Sequence, residues 1–468
     1  MTSRRALLLA GGAAAAAAIV IRLPYLGVPL DADEGGYAYL ARRWAEGGRL
    51  YGPVWVDRPQ GLMLLYRLVA DLGRGGAWIR LTALGLALLL AVGVSSAAWA
   101  LSGRRAALIA AVLVAVAGSA PHLQGFMLNG ELAAGAFSAV AVASALWARR
   151  TGRLWLLALA GAAGAVAVLM KQSGFDGAVV AFVLTVGWRR LRATLAFAAG
   201  LAGPLGLALL HAALTSWSDW WYAVVGYRLD TSAGSRGGLS GRWHNIAASW
   251  PHLWPDLLVL AGLVLVGLVW CLFGRGWVPA LWLVVALTGF AGGVFFFPHY
   301  WMQLVGPACL LGALALAVLP ARIAVAGTVL ACLPAVWFFG AVAVGSPDHR
   351  DRIAVPDHRL LANREIAPWL RAHAAPGDRL YAFVSSADLY WTTGLPTGFR
   401  YLWQANLDAI PGSVPQLQRY LAGPQRPQWV VVYAQPDALD PSGTLARTLA
   451  AGYRPVTVID GVPVLHSR

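Results

Sequence analysis

Apolar residues in this chain come in blocks long enough to cross a lipid bilayer, and no other feature limits its fold as much. Segments near 77–101, 105–120, 127–148, 154–170, 174–187, 193–214, 256–273, 277–297, 300–319 and 323–345 each approach the ~20 apolar residues that span a hydrocarbon core. Residues 6–26 add one more. In lipid a backbone must satisfy its own hydrogen bonds, so such segments are helices. Composition agrees: of 468 residues, 59% are hydrophobic and 12% charged, about half the ~25% charged content of soluble proteins. The expected fold is a polytopic α-helical membrane protein with about eleven transmembrane helices.

The net charge of +15 raises the question of nucleic acid, but its distribution answers otherwise. Arg4/Arg5, Arg104/Arg105, Arg149/Arg150/Arg153, Arg189/Arg190/Arg192, Arg275 and Arg322 cluster at every second loop between apolar blocks. That alternation is the positive-inside pattern. It implies a multi-pass protein of the plasma (inner) membrane with a cytoplasmic N-terminus and, for an odd number of spans, an extracytoplasmic C-terminus. The N-terminal apolar stretch is expected to stay as a helix rather than be removed as a signal peptide. Cys271, Cys309 and Cys332 fall inside apolar blocks and offer no disulfide framework.

Two pieces of organisation emerge. Residues 1–345 form a membrane module with external loops at 31–76 and 215–255, and residues 346–468 form a small α/β extracytoplasmic domain. In the first loop, Tyr37, Leu40, Ala41 and Trp44 mark one face of an amphipathic helix over 33–47, and 61–73 reads as a second interfacial helix. Asp31 or Asp33 suits the N-cap of the first. In the tail, 357–374 has helical spacing, while 379–384, 428–434 and 455–466 are β-branched and strand-like.

Polar residues on the external side are the candidates for chemistry. Asp33 and Glu34 follow Asp31 at the end of the first apolar block, three carboxylates where capping needs one side chain. A carboxylate beside a membrane surface can act as general base on a hydroxyl. Asp57 and Arg58 suit a divalent metal or a phosphate, the guanidinium fork matching phosphate oxygens. Glu131 and Lys171, the only lysine, stand at outer helix ends, where ionisable groups are costly. His299 and Tyr300 open a late span, and Tyr37, Tyr222 and Arg228 can contact a sugar or headgroup. His244 is the one available partner for Asp57 at a metal. These residues converge on one side of the membrane, which implies a site at the outer boundary roofed by the tail.

Several of these stretches resemble the GT-C superfamily of polytopic glycosyltransferases, in particular the glycosyltransferase-39 type with its protein O-mannosyltransferases and aminoarabinose transferases. "DADEGGYAYLARRW" is similar to that family's Asp-Glu motif at the start of the first external loop. "LYGPVWVDRPQGLML", "MLNGELAAGAF" and "PHYWMQLVGPACLL" resemble later family segments. Gln60 stands where a second proline is common, and Arg58 where the aminoarabinose transferases carry lysine. The resemblance implies an inverting transfer of a sugar from a polyprenyl-phosphate carrier to a hydroxyl of an envelope glycan, lipid or protein. It assigns Asp33 as general base with Glu34 in support, and Arg58 to the donor phosphate; on the residue reading Lys171 adds a second cation there, and Tyr37, Glu131, Tyr222, Arg228, His299 and Tyr300 serve the substrate. The resemblance places a divalent ion (Mg, Mn or Zn) at Asp57; the 215–255 loop offers no clear second ligand, although His244 is available. No nucleotide motif is present, and none is needed. A polyprenyl-lipid transporter or flippase is the alternative, although no inverted repeat is visible.

Overall fold

A computed structural model describes residues 2–73, 75–188, 190–233, 238–271, 276–355, 357–383 and 386–468; Arg189 and Arg275 of the charge pattern lie outside these residues. Helix α1 (Thr2–Arg22) leads through a 3-10 turn into α2 (Ala32–Ala45), and α3 (Gln60–Ala70) follows. The bundle continues with α4 (Gly76–Ser102), α5 (Arg104–Ala117), α6 (Gly130–Thr151), α7 (Trp155–Met170), α8 (Asp176–Val186) and α9 (Leu191–Thr215). Next come α10 (Trp217–Trp221), a π-helical turn at Tyr222–Gly226, α11 (Tyr227–Ala233), α12 (Leu239–Cys271), α13 (Trp277–Ala291), α14 (Met302–Val318) and α15 (Ala321–Val344).

Among the described residues, six helices are long and apolar enough to cross a membrane, or seven if the bent pair Gly11–Gly27 and Ala32–Ala45 counts as one. The expected count of eleven is therefore not confirmed among the described residues. The blocks at 105–120, 154–170, 174–187 and 277–297 fold as helices of 14, 16, 11 and 15 residues. At 1.5 Å per residue these cover about 17–24 Å, short of a ~30 Å core. Helices α6 and α14 are buried along most of their length, whereas α9 and α15 are almost bare. Apolar side chains such as Leu207, Leu214, Leu330 and Trp337 are nonetheless exposed on those outer helices. An apolar face of that extent belongs against lipid rather than water.

The first loop is tied down by buried charge. Asp31 caps α2, accepting from the Asp33 amide at 2.9 Å, while the Glu34 side chain accepts from the Asp31 amide at 3.1 Å, completing a capping box. Glu34, 1% exposed, also pairs with Arg80 of α4 at 2.9 Å and accepts from the Leu128 amide at 2.9 Å. Arg22, at the end of α1, donates to the carbonyls of Gly118 and Gly125, both at 2.7 Å, and to Ser119 Oγ at 3.0 Å. These contacts fix the 118–129 loop beside the start of α2. The Glu34 carboxylate is thus bonded at both oxygens, as a charge away from water must be.

The tail adds α16 (Pro347–Ala354), α17 (His358–His373), α18 (Asp388–Thr393), α19 (Gln404–Ala409), α20 (Ser413–Ala422) and α21 (Thr444–Gly452). Its sheet, in the order β1-β2-β4-β3, comprises β1 (Leu380–Phe383), β2 (Trp429–Val432), β3 (Tyr453–Ile459) and β4 (Val462–Ser467). Strands β1 and β2 are parallel and the other pairs antiparallel. The expected 357–374 helix forms, and so do strands in the first two runs, with Val384 outside the described residues; the 455–466 run divides at Asp460–Gly461 into the antiparallel pair β3 and β4.

Helix α18 lies on α2, and this contact seats the tail on the first loop. Tyr39 stacks obliquely on Tyr390, with centroids 5.2 Å apart, and its hydroxyl accepts from the Thr397 amide at 3.0 Å. The Arg42 guanidinium sits 4.2 Å from the Trp391 ring centroid. Gly35 makes the close approach possible: a Cβ there would lie 2.4 Å from Asp388 Cα. Gly35→Ala is expected to destabilise by roughly 1–3 kcal/mol, lowering Tm and opening the tail to limited proteolysis. Gly85→Ala, where an added Cβ meets nothing within 4 Å, serves as the neutral control. Equal Tm and equal proteolysis for both variants would contradict this account of tail seating.

Candidate active site

Three carboxylates crowd the start of α2, and the fold gives each a different task. Asp31 is spent on the cap and Glu34 on Arg80, as described above. Asp33 is left to line a cavity of about 500 Å³ between the first loop, the 118–129 loop, α11, the start of α14 and the tail. Its carboxylate accepts only a long bond from the Tyr37 hydroxyl, at 3.3 Å. Burial, then the neighbouring Asp31 charge, raise its pKa above the usual carboxylate value. Burial raises that of Asp31 to about 6.

Asp57, Arg58 and Arg228 form the second group on the cavity wall. Pro59 caps α3 without a side-chain bond, so the preceding residues turn inward rather than serve the helix. Arg58 Nη1 lies 2.6 Å from Asp57 Oδ2, and Arg228 pairs with the same oxygen. Burial acts to raise the Asp57 pKa, but the Arg228 and Arg58 guanidiniums outweigh it and hold the group below its usual value. Two guanidiniums against one carboxylate leave a local charge of +1. Gln172 braces this group, its amide donating to the Asp57 carbonyl at 2.8 Å and to the Val224 carbonyl at 3.1 Å.

Beneath the cavity lies a third group. Asn129 caps α6, accepting from the Leu132 amide at 2.8 Å, so Glu131 is free of capping duty. It pairs with Lys171, and its Oε1 is 3.8 Å from His299 Nε2. Lys171 Nζ sits 3.7 Å from the Tyr300 ring centroid. His299 Nδ1 meets Gln124 Oε1 at 2.9 Å. His299 and Tyr300 line the cavity, whereas Glu131 and Lys171 stand behind them.

Of the expected residues, Asp33, Tyr37, Asp57, Arg58, Arg228, His299 and Tyr300 meet at the cavity. Glu34, Glu131 and Lys171 support it from behind. Tyr222, in the π-helical turn, and His244, exposed on α12, do not line it. The Asp57–His244 pair is thus not assembled, and no group of three His, Cys, Asp or Glu side chains suits a metal ion among the described residues. The donor set explains why: the Asp57 oxygen a cation would use is already held by two guanidiniums, whose charge repels a cation.

Sequence reading expected the tail as a roof but named none of its residues. Asp357, Arg359, Trp403, Gln404, Asn406 and Asp408 of the tail line the same cavity. Trp403 packs on Tyr37, with centroids 5.4 Å apart, and the Asn406 amide donates to the Tyr227 hydroxyl at 3.2 Å. The signal available was the aromatic and amide content of "YLWQAN", which nothing local ties to residues some 370 positions earlier. A separate apolar groove of about 1370 Å³ runs between α12, α14 and α15, lined by Trp254, Leu258, Leu330 and Trp337, with His122 at one edge.

No protein-family model matches the sequence, and no curated protein matches it. Solved structures do match. ArnT from Cupriavidus metallidurans in the apo state aligns with a TM-score of 0.64 at 17% identity, covering 99% of this chain and 98% of that one. The same protein bound to undecaprenyl phosphate aligns with a TM-score of 0.63, also at 17% identity, over 96% of each chain. The oligosaccharyltransferase AglB from Archaeoglobus fulgidus, in complex with an inhibitory peptide and a dolichol-phosphate, aligns with a TM-score of 0.55 at 13% identity, over 92% of this chain and 69% of that one. Agreement over nearly the whole length at so low an identity is a statement about architecture: this chain has the GT-C fold.

Proposed function

We propose that this protein is an inverting glycosyltransferase that moves a sugar from a polyprenyl-phosphate carrier to a hydroxyl acceptor at the outer face of the plasma membrane. One observation carries the reading. A carboxylate relieved of structural duty, Asp33, shares one cavity with an Arg58–Arg228 pair that holds a single counter-charge. Transfer from a lipid phosphate needs these two halves: a base for the acceptor proton and fixed cations for the charge that grows on the leaving phosphate.

In this mechanism Asp33 takes the proton of the acceptor hydroxyl as its oxygen attacks the anomeric carbon, and Tyr37 orients the carboxylate. The bond from that carbon to the phosphate oxygen breaks, and the electron pair leaves with the phosphate. Arg58 and Arg228, pre-aimed by Asp57, receive it. Lys171 acts through its field from behind Tyr300, tethered by Glu131, and His299 holds Gln124 at the cavity edge. Glu34 keeps the α2 start in register and so serves Asp33 at one remove. The groove between α12, α14 and α15 suits the prenyl chain, and the tail, residues 346–468, closes the cavity over the membrane module, residues 1–345. The matched structures bound to undecaprenyl phosphate or dolichol-phosphate support the choice of carrier.

Asp33→Asn is expected to lower turnover by about 10²–10⁴-fold with donor affinity retained. The pH profile carries a sign. Asp33 must be ionised to act, and its pKa is raised, so activity is lost as pH falls through a value above the ~4 of an ordinary aspartate. Retained turnover in the variant, or an acid limb at or below that ordinary value, would remove Asp33 as the base. Arg58→Ala leaves Asp57 and Arg228 balanced at zero net charge. Affinity for bare polyprenyl phosphate should then fall about tenfold or more, measured by binding in nanodiscs, and unchanged affinity would contradict a phosphate role.

A further inference from the structure

The roof of the cavity carries two polar atoms that the folded chain leaves unsatisfied. Trp403 Nε1, a donor, and Asn406 Oδ1, an acceptor, are both buried and have no hydrogen-bond partner among the described residues. Asn406 is 2% exposed. Buried polar atoms without partners are uncommon, and each costs free energy unless something else completes it. Both residues line the cavity that holds Asp33.

Their neighbours say where a ligand would lie. Trp403 packs on Tyr37, whose hydroxyl donates to Asp33. A Cβ on Gly36 would come within 2.6 Å of Trp403 Cζ2, so the indole is pressed against α2 and held there. Asn406 donates to the Tyr227 hydroxyl, beside Arg228 in α11. Trp403 therefore packs on the residue bonded to the proposed base, and Asn406 is bonded to the chain neighbour of the proposed phosphate ligand. In an in-line displacement the sugar being transferred occupies the space between those two.

We propose that Trp403 and Asn406 form the recognition subsite for the transferred sugar, the indole N–H donating to one ring hydroxyl and the Asn406 carbonyl oxygen accepting from another. This rests on the glycosyl-transfer reading and deepens it: the tail, beyond closing the site, selects the donor by its hydroxyls. A hydroxyl both donates and accepts, so a polyhydroxylated ring meets both orphans at once, which a bare phosphate or a hydrocarbon does not. Trp403 and Asn406 are specificity-determining residues here and take no part in bond making.

The test uses full-length protein in nanodiscs and two sets of ligands, bare polyprenyl phosphate and a panel of polyprenyl-phosphate sugars including singly deoxygenated ones. Trp403→Phe keeps the aromatic face and removes the N–H; Asn406→Leu removes the acceptor. Each should weaken binding of the preferred sugared carrier on the order of tenfold while leaving bare polyprenyl phosphate at wild-type affinity, which also reports that the fold is intact. The deoxygenated donor that matches each orphan should show no further loss in the corresponding variant. Wild-type discrimination among sugars that persists in both variants would overturn the subsite and leave glycosyl transfer standing. Loss of bare carrier in parallel with sugared carrier would overturn it in favour of a purely structural role. A wild-type protein that binds no sugared carrier better than the bare one would overturn both readings.

Discussion

The buried bond between Glu34 and Arg80 is the constraint on which the site depends. A carboxylate and a guanidinium this deeply enclosed repay their desolvation only with good geometry and further hydrogen bonds. Here Glu34 has three partners: Arg80, the Asp31 amide and the Leu128 amide. The pair thus joins the start of α2, the flank of α4 and the loop before α6. Together with the Asp31 cap it satisfies the needs of the α2 terminus, and the remaining carboxylate, Asp33, can face the cavity. A lone acidic residue at this position would be drawn into capping. Three in four residues allow the cap, the anchor and the reactive group to be different side chains.

The same division of labour recurs across the cavity. Asn129 caps α6, which releases Glu131 to hold Lys171 and His299. Asp57 satisfies one positive charge and leaves the Arg58–Arg228 pair one short. The site is thus a set of charges each nearly balanced, with Asp33 and one unit of positive charge left over. That residue of imbalance is what a reaction separating a proton from a phosphate requires.

Much of this was legible in the sequence, for reasons of local chemistry. The helix expected over 33–47 forms over Ala32–Ala45, and the interfacial helix expected over 61–73 forms over Gln60–Ala70, because heptad-like spacing and acidic capping are local signals. Tail strands were readable from β-branched runs. The number of spans was not: apolar composition cannot distinguish a full crossing from the shorter helices at Trp155–Met170 and Asp176–Val186. Arg80 passed unnoticed because its partner is 46 positions away and nothing in the apolar run around it names Glu34. The pairing of Asp57 with His244 failed for a related reason, since two guanidiniums, one of them from α11, reach Asp57 first. The tail was expected to roof the site, but Trp403 and Asn406 were invisible for want of any local hint as to which of its residues reach α2.

The central claim is that this cavity breaks the bond between a sugar and a lipid phosphate. The most direct measurement offers purified wild-type protein in nanodiscs a panel of polyprenyl-phosphate sugars with cell-envelope extract as acceptor source, and follows release of free polyprenyl phosphate. The account predicts acceptor-dependent release from one donor or a few closely related ones. No release from any donor would contradict it and shift the reading to a carrier that moves such lipids without cleaving them.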